Sequence, residues 1–193
     1  MAISNNSTGL RPGVCTSTTR PTAPYEGQHI YETDTDMVAI WNGTAWRYIS
    51  ATTPTSGTVL QTAYAQTSTA VTYTSTTYIA SGLSVLITPK STSSTILVEV
   101  VVANCYKTTQ TNTGLNFQLW RNGSSIAQLG SDFLRTEDAQ RQHGQFASRY
   151  KDSPSSTSAL TYAVYGANRT TGTDQSNFNG DGISSITVME IAG

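Results

Sequence analysis

The residues with chemistry to offer are few and scattered. The only histidines are His29 and His143. His143 stands near Asp132, Glu137, Asp138 and Arg141, a set from which a general acid and a general base could be drawn. A solvated loop of mixed charge accounts for the same residues. A glycan-cleaving site wants carboxylates at a defined separation, and acids are sparse here. There is no Gly-x-Ser-x-Gly elbow, no His-Glu-x-x-His pair and no phosphate-binding loop. Asp34-Thr35-Asp36 lacks the further acidic positions of a calcium loop and reads as a turn. Cys15 and Cys105 lie too far apart in sequence to read as a metal pair, and Cys105 closes an apolar run, as a buried thiol does. The expectation is a protein that is not an enzyme and takes no cofactor and no metal.

The other chemistry is aromatic. Exposed aromatic rings stack on sugars, and tryptophan anchors interfaces. Trp41 and Trp46 flank an Asn42-Gly43 pair, and Trp120 precedes a second one, Asn122-Gly123. The first two read as interface anchors, whereas Trp120 reads as core packing at a strand end or as a recognition residue. Tyr150, Tyr162, Tyr165 and Phe178 are the candidates for a glycan-reading surface.

The composition names the elements that must position these groups. Of 193 residues 37% are hydrophobic and 12% charged, and Ser and Thr supply roughly three in ten. Ordinary domains carry about 25% charge. Threonine fits a half-buried pleated surface and serine fits turns, so the bias favours strands and tight loops. A net charge of -1 leaves no basic stripe for phosphates, which argues against nucleic-acid binding. The first residues have neither the charged nor the apolar region of a signal peptide, and no apolar run spans a bilayer. No membrane insertion is expected, and the chain is read as made in the cytoplasm.

Residues 1–50 differ from the rest. Pro12, Pro21 and Pro24, with Arg11 and Arg20 among them, predict an extended arm. Residues 27–33, 37–41 and 44–49 then predict a three-stranded meander, too small to be stable alone. Residues 51–58 read as a linker. Residues 59–193 are β throughout. Predicted strands cover 59–66, 70–74, 77–79, 83–88, 95–105, 115–121, 124–129, 145–150, 159–167 and 185–191, the spacing of a sandwich or barrel. Residues 95–103 are apolar at nearly every position, which predicts a central strand covered on both faces, one cover coming from a neighbouring subunit. Residues 131–144 and 170–182 read as long loops, the first with room for one helical turn.

Two sets of three sequence landmarks resemble a known family. Gly13 to Pro21, Ile30-Tyr31-Glu32-Thr33-Asp34 and Trp41-Asn42-Gly43-Thr44-Ala45-Trp46 resemble an N-terminal module of tailed-bacteriophage virion proteins, often minor tail or fibre proteins. The runs 81–89, 93–98 and 185–191 are similar to those of a small phage fibre-tip domain. The resemblance implies an all-β chain: an N-terminal arm and meander, then a jelly-roll-like sandwich forming a homotrimer, as in tumour-necrosis-factor heads. It implies a virion structural protein whose partners are itself, other proteins of the tail or capsid, and a host cell-surface glycan. No shaft repeats are present, which favours a short spike, a tip or a capsid decoration. Anchoring and assembly are expected of Arg11, Arg20, Tyr31, Trp41 and Trp46. Receptor binding is expected on the two long loops, at Asp132, Arg135, Glu137, His143, Asp174 and Phe178. Replacing Asp132 or Phe178 with alanine is then expected to leave melting unchanged.

Overall fold

A computed structural model describes residues 12–49, 54–109, 111–171 and 176–193. The chain divides into two compact units, Met1–Thr53 and Pro54–Gly193. Every element in the described residues is a strand, and no helix among them is long and apolar enough to cross a membrane.

The first unit is a four-stranded sheet, one strand more than the sequence suggests. Strands β2 (His29–Glu32), β3 (Met37–Trp41) and β4 (Trp46–Ile49) form the antiparallel meander. β1 (Gly13–Cys15), at the start of the proline-rich arm, adds to β2 in parallel. The arm is therefore extended because it is partly sheet. The hairpin at Asn42-Gly43 is not a two-residue turn. Only Gly43 takes positive φ, and the Asn42 side chain accepts from the amides of Thr44 (3.0 Å) and Ala45 (2.9 Å) to close a longer loop. Asn122 and Gly123, at φ 48° and 82°, make the tight turn that the other pair was expected to make.

The second unit is a sandwich. Its first sheet runs β5 (Val59–Thr67), β14 (Ser184–Ile191), β8 (Thr95–Lys107), β11 (Gln142–Asp152). Two short strands, β6 (Val71–Tyr73) and β13 (Ser176–Phe178), extend the β5 and β14 side along the far end of β8. Its second sheet runs β10 (Ser124–Phe133), β9 (Leu115–Arg121), β12 (Leu160–Asn168), β7 (Ile79–Ile87). All pairs in both sheets are antiparallel. The chain crosses between the sheets from β7 through β9 and again from β10 through β13, with β9 and β10 a hairpin within the second sheet. The strand orders β5-β14-β8-β11 and β7-β12-β9-β10 are those of a jelly roll.

Period-two alternation explains the packing. On β7, Leu83, Val85 and Ile87 are buried while Ser84 and Leu86 are exposed. On β8, Ile96, Val98, Val100 and Val102 enter the core, whereas Leu97, Glu99, Val101 and Ala103 are half-buried on the outer face. Among the described residues of this unit, the strand is thus fully covered on one face only. Facing Phe117, Phe146 and Phe178 complete the core with Tyr73 and Tyr162. Cys105 is buried among them, and burial pushes its thiol up to about 12.

Buried polar groups fasten the sheets. Asp152 on β11 accepts from Arg121 of β9 (2.6 Å) and from the Tyr162 hydroxyl of β12 (2.6 Å), so one carboxylate joins the two sheets. Glu190 on β14 accepts from Gln61 of β5 (2.6 Å) and from the amide of Lys90 (2.7 Å), so it holds the β7–β8 connection. Burial alone would raise the Glu190 carboxyl. The hydrogen bonds from Gln61 and the Lys90 and Ser91 amides outweigh it and hold the group below its ordinary 4.5. The linker expected at 51–58 is in part head: Gly57 donates to Ala192 (2.8 Å), and Ala192 donates to Thr58 (2.8 Å).

Two outcomes follow from this packing. A Cβ at Gly166 would lie 2.4 Å from Cζ of the buried Tyr73 ring. Gly166→Ala should cost about 1–3 kcal/mol in urea unfolding, as overpacking does; an unchanged midpoint would mean that Tyr73 yields. Because the Glu190 carboxyl is depressed in the folded state, its stabilisation is complete above the ordinary carboxylate range and is lost as pH falls through the folded value. The melting difference between wild type and Glu190→Gln should be widest above about pH 5 and shrink toward pH 3. A difference independent of pH would contradict this.

Candidate functional site

Of the expected receptor residues, Asp132, Arg135, Glu137 and His143 gather at one end of the sandwich, but not on a long loop. β10 runs on to Phe133 and β11 begins at Gln142, so only residues 134–141 remain between them, and they contain no helical turn. Asp132 and Leu134 take positive φ, at 55° and 63°, which turns the chain sharply as β10 ends. The 170–182 stretch is interrupted by β13.

The charges at this end bind one another. Asp132 pairs with Arg169 (2.8 Å). Arg135 bonds Glu137 (3.0 Å) and the side chain of Asn112 (2.9 Å). His143 lies across from Tyr106 in the β8–β11 register, with its Nδ1 3.1 Å from the Asn104 side chain. Arg141 covers the same Tyr106 ring at 4.6 Å. The neighbours of His143 are therefore an amide and an aromatic ring, not the carboxylates that its sequence setting offered. Among the described residues no group of three His, Cys, Asp or Glu could hold a metal ion.

Phe178 corrects an expectation. It is fully buried, edge-on to Phe117 at 6.4 Å, because β13 carries it into the sheet between the two connections that were read as one loop. It cannot stack on an outside ligand. Tyr162 is likewise buried, and its hydroxyl belongs to Asp152. Asp174 and Arg11 lie outside the described residues.

In the first unit the expected anchors divide between two faces. Arg20 folds back from the arm onto Glu32, at 2.5 and 3.2 Å, and its guanidinium lies over the Tyr48 ring at 5.7 Å. Glu32 is fully buried and also accepts from Tyr48 (2.9 Å) and Thr35 (3.1 Å). The Arg20 hydrogen bond above all holds its carboxyl below the ordinary value despite burial. Trp41 and Trp46 pair on this same arm-covered face, 5.6 Å between ring centroids. The opposite face carries one cross-strand row, Val14, Tyr31, Val38 and Ile49. Val14 is 69% and Ile49 53% exposed. Of the expected anchors among the described residues, only Tyr31 is in that row, where its hydroxyl donates to Asp36.

Trp120 is not core. It stands on the outer face of β9, stacked on Tyr165 of β12 with centroids 4.1 Å apart and planes 12° from parallel. The alternation of β9 carries the signal: Leu115, Phe117 and Leu119 are buried, so Asn116, Gln118 and Trp120 share the other face.

No family model matches this chain, and no curated protein matches it. Among solved structures, the VP2 subviral particle of infectious bursal disease virus is 14% identical, with a TM-score of 0.44 over 91% of this chain and 42% of that one. The Gx strain of the same virus gives 9% identity and a TM-score of 0.44 over 79% and 37%. T=1 particles derived from infectious bursal virus give 11% and 0.41 over 91% and 44%. The chain spans less than half the length of these proteins, and likenesses this distant carry no argument about function.

The placements reverse one of the two expected alanine results. Phe178→Ala should lower the stability of the head by about 3–5 kcal/mol, as loss of a buried phenylalanine does. Asp132→Ala, which breaks an exposed pair and puts alanine at φ 55°, should cost about 1–2 kcal/mol. Urea unfolding of both variants checks the contrast, and equal midpoints would refute it.

Proposed function

We propose that this chain is a virion structural protein, the subunit of a short tail spike or fibre tip, which attaches through its first unit and presents its jelly-roll head outward as a homotrimer. The observation that carries the reading is that each unit, taken by itself and among its described residues, leaves apolar side chains uncovered on one sheet face. In the first unit it is the row Val14, Tyr31, Val38, Ile49. In the head it is the outer face of the first sheet, where Leu97, Val101, Met189 and Ile191 are half-buried and Tyr64 is 59% exposed. Its one ion pair there, Glu99–Arg149 at 2.6 Å, borders a shallow groove of about 370 Å³ toward the β11 edge. On the head's face these apolar side chains are interleaved with Ser185, Thr187 and Glu99, and apolar side chains left half-exposed on a sheet face are where a further subunit packs. The sequence landmarks of both units, which resemble phage tail proteins, support the same assignment, and the head's outward position makes a host-surface glycan its expected partner.

Full-length protein should scatter light as three times its 20.6 kDa mass. Val101→Arg with Met189→Lys, two charges placed on the outer face of the first sheet, should give folded monomer. A wild-type monomer would overturn the trimer. A chain beginning at Ser56 should fold and be missing from purified particles. Its normal incorporation would place the anchor elsewhere, and a copy number matching the capsid lattice would make the protein a decoration of the head.

A further inference from the structure

The outer face of the second sheet differs in kind from that of the first. The stacked Trp120–Tyr165 pair crosses its centre diagonally between β9 and β12. Beside the pair, a network of amides is fixed in place. The Trp120 indole donates to Gln118 (3.1 Å), Gln118 donates to Gln128 (3.2 Å), and Gln128 also accepts from the Tyr78 hydroxyl (3.1 Å). Gln128 itself donates to two backbone carbonyls, Phe117 (3.0 Å) and Gly130 (2.7 Å), which locks its orientation. Gln118 uses one N–H and one lone pair in this network, and a side-chain amide has a second of each to offer. Toward β7 the partners across the sheet are small: Ala163 opposite Trp120, and Ser84 opposite Ala163. They leave low ground beside the aromatic pair, edged by the exposed hydroxyls of Ser84, Ser125 and Thr161.

The strands of this sheet place no charged side chain on that face. Arg121 turns inward to Asp152, and Asp132 at the end of β10 is neutralised by Arg169. A sulfated, sialylated or phosphorylated ligand would want a free cation here to meet its anion. A purely apolar partner would leave the amides and hydroxyls buried without bonds. A stacked aromatic pair with fixed amides and hydroxyls beside it suits a ligand that has C–H faces and hydroxyl edges and no charge.

We propose that the outer face of the second sheet binds an uncharged carbohydrate, with Trp120 and Tyr165 as its stacking platform and Gln118 as its directing hydrogen-bond group. The site deepens the reading of the head as the outward-facing unit, and it moves recognition from the strand-end loops to a sheet face. The first sheet's outer face, on the other side of the sandwich, remains free to pack against neighbouring copies.

The test uses full-length trimer with dextran, mannan and chitin oligomers as neutral probes on a wider array of neutral hexose and N-acetylhexosamine glycans, and heparin as the acidic probe. At least one neutral glycan should bind. Trp120→Ala should weaken that binding at least about tenfold, as loss of a central aromatic anchor does. Ser84→Arg fills the low ground without touching the aromatic pair, and it should weaken binding as strongly while leaving the melting temperature near that of wild type. Trp46→Ala in the first unit should bind like wild type. Binding to heparin alone, binding to no neutral glycan, or neutral binding untouched by both head substitutions overturns the proposal. Particle incorporation separates this result from the assignment above: protein present in particles but binding no neutral glycan refutes the site alone, and protein that binds the glycan but is absent from particles refutes the virion role alone.

Discussion

Three carboxylates removed from water hold this chain's irregular segments to its sheets. Burying a carboxylate costs several kcal/mol unless hydrogen bonds replace its hydration. Each of the three is repaid by at least one group ten or more residues away in sequence. Glu32 gathers Arg20, Thr35 and Tyr48, which fixes the proline-rich arm on its sheet. Asp152 gathers Arg121 and Tyr162 and joins the two sheets of the head. Glu190 gathers Gln61 and the amide of Lys90 and fixes the β7–β8 connection. Breaking such a cluster from one side leaves an uncompensated buried charge, so these positions constrain the fold more tightly than any surface pair. In a chain with only 12% charged residues, three placed so specifically are a large share of what is available.

The shortage of charge also explains the two outer faces. Strand alternation assigns every second residue to the core, and the core of the head is apolar and aromatic on both sheets. What remains for the outside is mostly Ser, Thr, amides and leftover apolar residues, with Glu99, Arg149 and Lys151 on the first sheet. On the first sheet these are Leu97, Val101, Met189 and Ile191. On the second they are Asn116, Gln118, Trp120 and Tyr165. One composition therefore yields a face suited to packing against protein and a face suited to hydroxyl-rich ligands, according to which strands carry which residues.

Much of the head was legible in its sequence. The alternation around Leu83 and the run 115–121 specify β7 and β9 directly, since β9 has those bounds. The misreadings have local physical causes. The ends of β10 and β11 look like loop because their bulged register and the left-handed Asp132 and Leu134 break the period of two. β13 is three residues long inside a polar stretch, too short for any periodic signal, so Phe178 looked exposed. β1 was hidden for the same reason. The two Asn-Gly pairs differ because Asn42 directs its side chain to following amides while Asn122 takes positive φ itself, a choice their identical dipeptides do not encode. The candidate site was half legible. Tyr165 stood among the aromatic candidates, but its partner Trp120 was drawn toward the core by its place at a strand end, although the parity of β9 already put it with Gln118.

That parity separates stability from recognition. Substitutions at Gln118, Trp120 or Tyr165 alter residues on the outer face, whereas the alternating neighbours Leu119 and Val164 are fully buried and carry the packing. The loops at the sandwich end are less free to change than loops usually are. Asp132 is tied to Arg169, Arg135 to Asn112, and the aromatic edge of Phe133 lies against Gly144, where a side chain would meet it at 3.1 Å. Among the described residues, Gln118, Trp120 and Tyr165 stand outside both the core and the ion-pair network, so the second sheet's outer face is a place where this head can change its surface chemistry at small cost to packing.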